Sequence, residues 1–412
     1  MLNPKFKYVL LAFIIVLGGI FVLKANSIVR AQGKSESIPD KYIVVFKDNV
    51  VNPQDVADEM ARVHGLSIDH VFTTAIKGFS ATIPQARLDK VKSDSSVQFV
   101  SDDKVVEASA QTTPTGINRI NATSNTNEGN GIGVAVIDTG IDLTHPDLQA
   151  NIIANYSCVR GKKTGKDDNG HGSHVAGTIA ALNNTTGVVG VAPQAKLIAV
   201  KVLNSNGSGT WSSVICGIDW VTANIVKYNI KVANMSLGGG GSSDNNCGNS
   251  NNDALHKAIC KSAQAGVTYA VAAGNDNSDA NSSVPAAYDD TVITVSALAD
   301  SDGQSGGLGS PTSYGVDDTF AGFSNYGSVV DIGAPGVSIY STWKSGGYST
   351  ISGTSMATPH VAGAAALYIK SHPGSTWSQV RDGLVSAAEG LNAGHTDISG
   401  LHPEPIVQAN NL

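Results

Sequence analysis

The stretch IGVAVID, Ile132–Asp138, is apolar at every position until its closing carboxylate. A strand with one face in water alternates apolar and polar side chains, so this one is expected to be covered on both faces. Runs of the same kind return at Lys196–Leu203 (KLIAVKVL), Lys231–Leu237 (KVANMSL), Val267–Ala273 (VTYAVAA), Thr291–Ala297 (TVITVSA) and Val329–Pro335 (VVDIGAP). Among them, Gly172–Leu182, Trp211–Asn224, Asp253–Gly266 and Ser355–His372 carry helical patterns. Apolar strands alternating with helices predict an α/β fold, a mainly parallel sheet with helices on both faces. Upstream, Lys41–Glu107 reads as strand, helix, two strands, helix and strand, the order of a small α+β ferredoxin-like domain. The polar, turn-rich segment from Glu107 to Gly131 connects the two.

With 412 residues and 41% hydrophobic content, the chain can bury at least one large core. A net charge of -7 without a long basic run argues against a nucleic-acid partner and gives no support to an anionic membrane. Lys5 and Lys7 precede the apolar run Tyr8–Leu23, which is long for a signal segment and short for a relaxed membrane span. Export is expected either way: residues 1–31 are read as a signal peptide ending in VRA at Val29–Ala31, with an uncleaved anchor at the outer face of the membrane as the alternative. Four cysteines in an exported chain predict disulfides rather than a metal cluster. They allow three pairings. We prefer Cys158 with Cys216 and Cys247 with Cys260, the second closing an Asn-rich excursion.

Parallel sheets covered on both faces gather chemistry at the carboxyl ends of their strands. Asp138 closes a strand there, His171 stands where the Gly-punctuated loop DDNGHGSHVAG turns into a helix, and Ser355 opens the helix of GTSMATPH. A serine hydroxyl is a weak nucleophile until a neutral imidazole takes its proton, and that imidazole needs a carboxylate to fix its tautomer. A fourth group must receive charge on the attacked carbonyl oxygen. Asn275, ending VAAGN, is a suitable amide donor, and the Ser355 N–H at a helix start is a second. Pro359 lacks an N–H and crowds the carbonyl of Ser355, so the helix either starts late or is distorted at the serine, while Gly353 lets a substrate backbone approach.

The motifs VIDTGID, GHGSHVAGTIAALNN, AAGN and SGTSMATPHVAGAAAL, in that order, resemble those of the subtilisin-like serine proteases, of the subtilisin and proteinase K type. The resemblance covers nearly everything after the signal segment. It implies a secreted, monomeric endopeptidase acting on protein and peptide substrates, with Asp138 as orienting carboxylate, His171 as base, Ser355 as nucleophile and Asn275 as oxyanion amide. It further implies that an extended peptide lies between Gly207-Ser208-Gly209 and Ser236-Leu237-Gly238. A side-chain pocket lined by the second edge and by Ala272, Ala273 and Gly274 would favour large apolar residues, and Asp276 reads as a solvated loop acid. Residues 41–107 then match a propeptide that helps folding and inhibits, with self-cleavage around Ala108–Ala110, and 110–412 match the peptidase. A structural Ca2+ is implied, held by the side chains of Gln111, Asp147 and Asn184 and by the carbonyls of Leu182, Thr186 and Val188. The loop LNNTTGVVGVAP, inserted into a helix, suits such oxygen ligands.

Three rival readings fit less well. An aspartic protease needs two carboxylates sharing a proton, and D-T-G occurs once. A non-catalytic binding protein on the same fold would be expected to lack a triad member. An esterase would show a G-x-S-x-G elbow with the serine first in the chain. His174, three residues after His171, has no third ligand near it for a metal, and His145 and His360 read as packing residues. Of the N-x-S/T sites, Asn234 falls within an expected strand.

Overall fold

The computed structural model of the protein describes residues 37–104 and 110–412. The expected signal segment and most of the expected cleavage region therefore lie outside the described residues. Two compact units divide at residue 108. The first runs β1 (Ser37–Phe46), α1 (Pro53–His64), β2 (Ser67–Phe72), β3 (Gly78–Thr82), α2 (Gln85–Lys92) and β4 (Val97–Lys104). Its sheet is antiparallel in the order β2-β3-β1-β4, which is the ferredoxin-like arrangement that the order of elements predicts. The Asn52 side chain caps α1, and Gly65, at φ 60°, closes it in a conformation that side chains rarely adopt. Val44, Phe46, Phe79 and Ala81 meet Ala57, Met60 and Leu88 in its core.

In chain order, the second unit comprises α3 (Thr115–Arg119), β5 (Gly133–Asp138), β6 (Ile152–Ser157), α4 (His171–Ala180), β7 (Lys196–Lys201), α5 (Trp211–Ala223), α6 (Ile225–Tyr228), β8 (Ile230–Met235) and β9 (Gly239–Gly240). It continues through α7 (Ala254–Gln264), β10 (Thr268–Ala272), β11 (Ser283–Val284), β12 (Val292–Ala299), β13 (Thr319–Phe320), β14 (Ile332–Pro335), β15 (Ile339–Trp343), β16 (Gly347–Ile351), α8 (Thr354–Ser371) and α9 (Trp377–Ala387). The main sheet has the order β13-β12-β10-β8-β5-β7-β6, with β14 also beside β12. All its pairings are parallel except β12 with β13.

The apolar strands are explained by period-two alternation into two cores. Val134 and Val136 of β5 enter one core with Val175 and Ile179 of α4 and Met356 and Val361 of α8. Ala135 and Ile137 enter the other with Val214 and Ile218 of α5 and Leu255 and Ile259 of α7. Disulfides join Cys158 to Cys216 and Cys247 to Cys260. They tie the end of β6 to α5 and an Asn-rich loop to α7. None of the helices among the described residues is long and apolar enough to cross a membrane.

Candidate active site

Register brings the strand ends together. Val136 stands opposite Asn234, and Met235 opposite Val271, so the residues that follow, Asp138, Ser236 and Ala273–Asn275, leave the sheet at one edge. That edge is the carboxyl end of three adjacent parallel strands, the place expected for a ligand site.

Asp138 is fully buried, and His171 Nδ1 lies 2.8 and 3.0 Å from its two oxygens. Thr139 N donates to Asp138 Oδ1 at 2.6 Å, which fixes the carboxylate. The start of α4 is organised by Asp167, which the motif reading overlooked. Its oxygens accept from the N–H groups of Asn169, Gly170 and Ser173 and from the hydroxyls of Ser173 and Thr139. The D-D-N-G run before His171 is the local signal for such side-chain-to-backbone turns. Burial of the imidazole opposes its charged form, but the charge and hydrogen bond of Asp138, with the charge of Asp167, prevail and raise the His171 pKa above its ordinary value.

On the other side of the edge, α8 begins at Thr354 with Gly353 in the capping position and Pro359 inside the helix. Pro359 leaves the Ser355 carbonyl without its helical donor. Ser236 Oγ supplies one at 2.8 Å, and Ser355 Oγ in turn donates to the Ser236 carbonyl at 3.2 Å. Among the described residues no hydrogen bond joins Ser355 to His171, although α4 and α8 pack against each other. Asn275 Oδ1 accepts from Thr354 N at 2.8 Å and from Thr354 Oγ1 at 3.0 Å, so its amide is oriented by its oxygen and its NH2 is left free to donate. A Cβ added at Gly353, where φ is 154°, would stand 3.7 Å from Ser355 N and 3.8 Å from Asn275 Nδ2. The two N–H donors therefore border one space, which a side chain at position 353 would enter.

The first expected substrate edge is a turn closed on Asn204, which bonds Gly207 N, Ser208 N and the Ser208 carbonyl. Gly207, Ser208 and Gly209 are exposed, and the chain after Ser236, Leu237 and Gly238 pairs through β9 with β11. Ala272 and Ala273 are buried beside the half-buried Gly274, while Asn275 and Asp276 face solvent. A hollow of about 380 Å³ adjoins the first edge, lined by Val202, Ser208, Gly209 and the Cys158–Cys216 bridge. The three other histidines considered from their motifs are engaged in packing. His174 Nε2 meets the Ile339 carbonyl at 2.9 Å, His360 Nδ1 the Met356 carbonyl at 2.9 Å and His145 Nε2 the Gly347 carbonyl at 2.9 Å. Burial lowers the pKa of His174 and of His360 to about 4. Asn234 is fully buried.

The loop after α4 behaves as an insertion into a helix, because Val191 N and Ala192 N return to bond the carbonyls of Thr178 and Ile179. It carries oxygens to one point. Gln111 Nε2 lies 2.6 Å from the Leu182 carbonyl and 3.1 Å from that of Val188. Asp147 is fully buried, with Asn184 Nδ2 at 3.5 Å from its Oδ1, and Thr186 N bonds Asn184 Oδ1 at 2.7 Å. Two carbonyls converging on one electropositive group, beside a buried carboxylate and amides whose oxygens can be turned inward, fit a hard cation.

Residues 129–401 match the subtilase family and residues 41–109 the peptidase inhibitor I9 family. Subtilisin J of Geobacillus stearothermophilus is 41% identical over 376 residues, covering 88% of this chain and 89% of that protein. The extracellular serine proteinase of Thermus sp. strain Rt41A is 39% identical over 382 residues, covering 85% of each. The crystal structure of a cold adapted subtilisin-like serine proteinase, 37% identical, covers 72% of this chain and 97% of its own with a TM-score of 0.58. The chain therefore belongs to the subtilase family, as a subtilisin-like serine endopeptidase with an I9 inhibitor domain ahead of it.

Proposed function

We propose that the protein is exported as a zymogen that cuts itself, and that Asp138, His171, Ser355 and Asn275 perform the cleavage. The observation that carries this is the imidazole of His171 held on both oxygens of a buried carboxylate at the strand edge where Ser355 N and the Asn275 amide border one open space. Ser355 Oγ adds to the scissile carbonyl carbon as its proton passes to His171 Nε2, whose other nitrogen Asp138 holds. Charge on the carbonyl oxygen is met by Ser355 N–H and Asn275 Nδ2. His171 then gives its proton to the departing amine, leaving an acyl-Ser355 that water hydrolyses by the same steps.

Substrate backbone lies as an added strand between Gly207–Gly209 and Ser236–Gly238, with apolar side chains preferred at the pocket beside Ala272–Gly274. Gln111, Asp147, Leu182, Asn184, Thr186 and Val188 hold a structural Ca2+, which supplies no step of the reaction and stiffens the loop after α4. Residues 41–107 act as inhibitor and folding aid until cleavage near Ala108–Ala110, and residues 1–31 direct export, with release rather than anchorage as the outcome. Ser355→Ala tests the reading: casein hydrolysis is expected to vanish and the propeptide to stay attached. A normally processed Ser355→Ala chain would overturn self-cleavage, and retained hydrolysis would overturn the nucleophile.

A further inference from the structure

Between β12 and β13 the chain leaves the sheet over residues 300–318 and returns beside α3. Its carboxylates are folded inward. One oxygen each from Asp300, Asp302 and Asp317 lie within 4.8 Å of one another. Asp300 and Asp317 are 2% exposed, and Asp302 is half-buried. Backbone donors hold the group in place: Gly303 N on Asp300 Oδ1 at 2.9 Å, Gln304 N on Asp302 Oδ1 at 2.9 Å, and Ser301 N and Gly309 N on the two oxygens of Asp317 at 2.7 Å each.

These donors do not neutralise it. Arg119, the buried cation nearby, spends its Nε on Asp318 and both terminal nitrogens on Glu389. Among the described residues no ion pair reaches Asp300, Asp302 or Asp317. Asp300 Oδ2 is buried without any hydrogen-bond partner. A buried carboxyl group that faces two further carboxylates and has one oxygen without any partner calls for a positive charge.

We propose that Asp300, Asp302 and Asp317 form a calcium site, separate from the Gln111 and Asp147 group, that clamps the 300–318 loop against α3. The ligands are all hard oxygens on an irregular loop, and calcium tolerates such geometry where magnesium demands a near-ideal octahedron. The clamp has a partner surface: a Cβ added at Gly303 would stand 3.1 Å from Asn118 Cβ and 3.1 Å from the Thr115 carbonyl, and Asp318 bonds Arg119.

The test is calcium titration by calorimetry on the full chain carrying Ser355→Ala, stripped with EDTA and exchanged into metal-free buffer. Added Asp302→Asn is expected to bind one calcium ion per chain fewer, and Asp147→Asn to lose a different one, so that the double variant loses two. Unchanged stoichiometry and affinity in Asp302→Asn would overturn the site. Asp300→Asn, which keeps the shape and removes the charge, guards against mere misfolding. Its metal-free unfolding temperature is expected to match or exceed that of the parent, while the calcium-dependent rise shrinks. A full calcium-dependent rise in Asp300→Asn would also overturn the proposal.

Discussion

Replacing Arg119 by methionine probes the joint that holds α3, the 300–318 loop and the C-terminal segment together. Arg119 is 1% exposed; its Nε lies 2.6 Å from Asp318 Oδ1, and its terminal nitrogens lie 2.6 and 3.2 Å from the Glu389 oxygens. Removing one partner of a buried pair costs about 3–5 kcal/mol, because the other charge is left in a poor solvent. Two features place this site at the lower end. Asp318 Oδ2 keeps the N–H groups of Gly306 and Gly307 at 2.7 and 3.0 Å, and Glu389 Oε1 keeps His395 Nδ1 at 3.0 Å. A loss of about 3 kcal/mol lowers the unfolding temperature by about 6–12 °C, at about 2–4 °C per kcal/mol for a large domain.

The pH dependence has a definite sign. In the parent, burial works against the Glu389 carboxylate, but His395 and Arg119 hold its pKa below the ordinary value. It therefore contributes stability that is present above the unfolded value of about 4.3 and lost as pH falls through the lower folded one. Without Arg119, burial gains ground and Glu389 accepts a proton at higher pH, so the deficit of Arg119→Met should narrow as pH falls from 7 towards 5. Scanning calorimetry at one fixed rate, in paired Ser355→Ala chains that do not digest themselves, measures both effects. A fall of under about 2 °C, or a deficit that stays constant across that pH range, would refute the reasoning.

Asp138→Asn should lower kcat by about 10⁴-fold, a range taken from the equivalent change in another serine protease, and move the acid limb of kcat/KM to lower pH. The direction follows from His171, whose raised pKa depends on that carboxylate and whose neutral form is the active one; an unmoved limb on a soluble peptide ester counts against the assignment. Asn275→Leu should cost about 10²–10³-fold in kcat with KM little changed, a range established for this donor in a related subtilisin, and a loss confined to KM would place Asn275 in substrate binding instead. EDTA should lower the temperature of irreversible inactivation, since a ligand at 100 times its Kd adds about 2.7 kcal/mol. Asp147→Asn should reproduce part of that loss and blunt the response to EDTA, and an equal response in both chains would exclude Asp147 as a ligand.

The sequence revealed the elements whose pattern is strong and passed over those whose pattern is mixed. β5, β7, β8, β10 and β12 are buried on both faces, so each is a continuous apolar run. β6, IIANYS, lies at the sheet edge with three of its residues exposed, and its polar positions hide it. The β15–β16 hairpin is rich in Ser, Thr and Gly, and its strands are made by pairing with each other. At the site, the residues proposed to carry chemistry were picked out by motifs at a strand end or a helix start. The supporting groups were less legible: Asp167 holds the turn just after it, for which D-D-N-G is the one local signal, whereas Thr354 and Ser236 bond groups 79 and 119 residues away. The 300–318 loop offers no periodicity, and its meaning appears only when three aspartates are found facing one another.

Pro359 shows how such support can matter to the reaction. Inside a helix it would ordinarily be costly, because the carbonyl four residues back loses its donor. Here that carbonyl belongs to Ser355, and the donor that replaces it, Ser236 Oγ, comes from the strand edge that would hold substrate. The helix bearing Ser355 is thus bonded to that edge in both directions, since Ser355 Oγ also donates to the Ser236 carbonyl at 3.2 Å. The first bond does not involve the Ser355 hydroxyl, whereas the second must break for that hydroxyl to reach an imidazole. A neutral hydrogen bond of that length is worth about 0.5–1.5 kcal/mol net, so its exchange for one to His171 costs little, and catalytic bonds commonly tighten only once substrate is present. The structure thus holds the Ser355 hydroxyl on a weak acceptor, and under the proposed mechanism only that hydroxyl, not the Ser355 N–H, has to change partner.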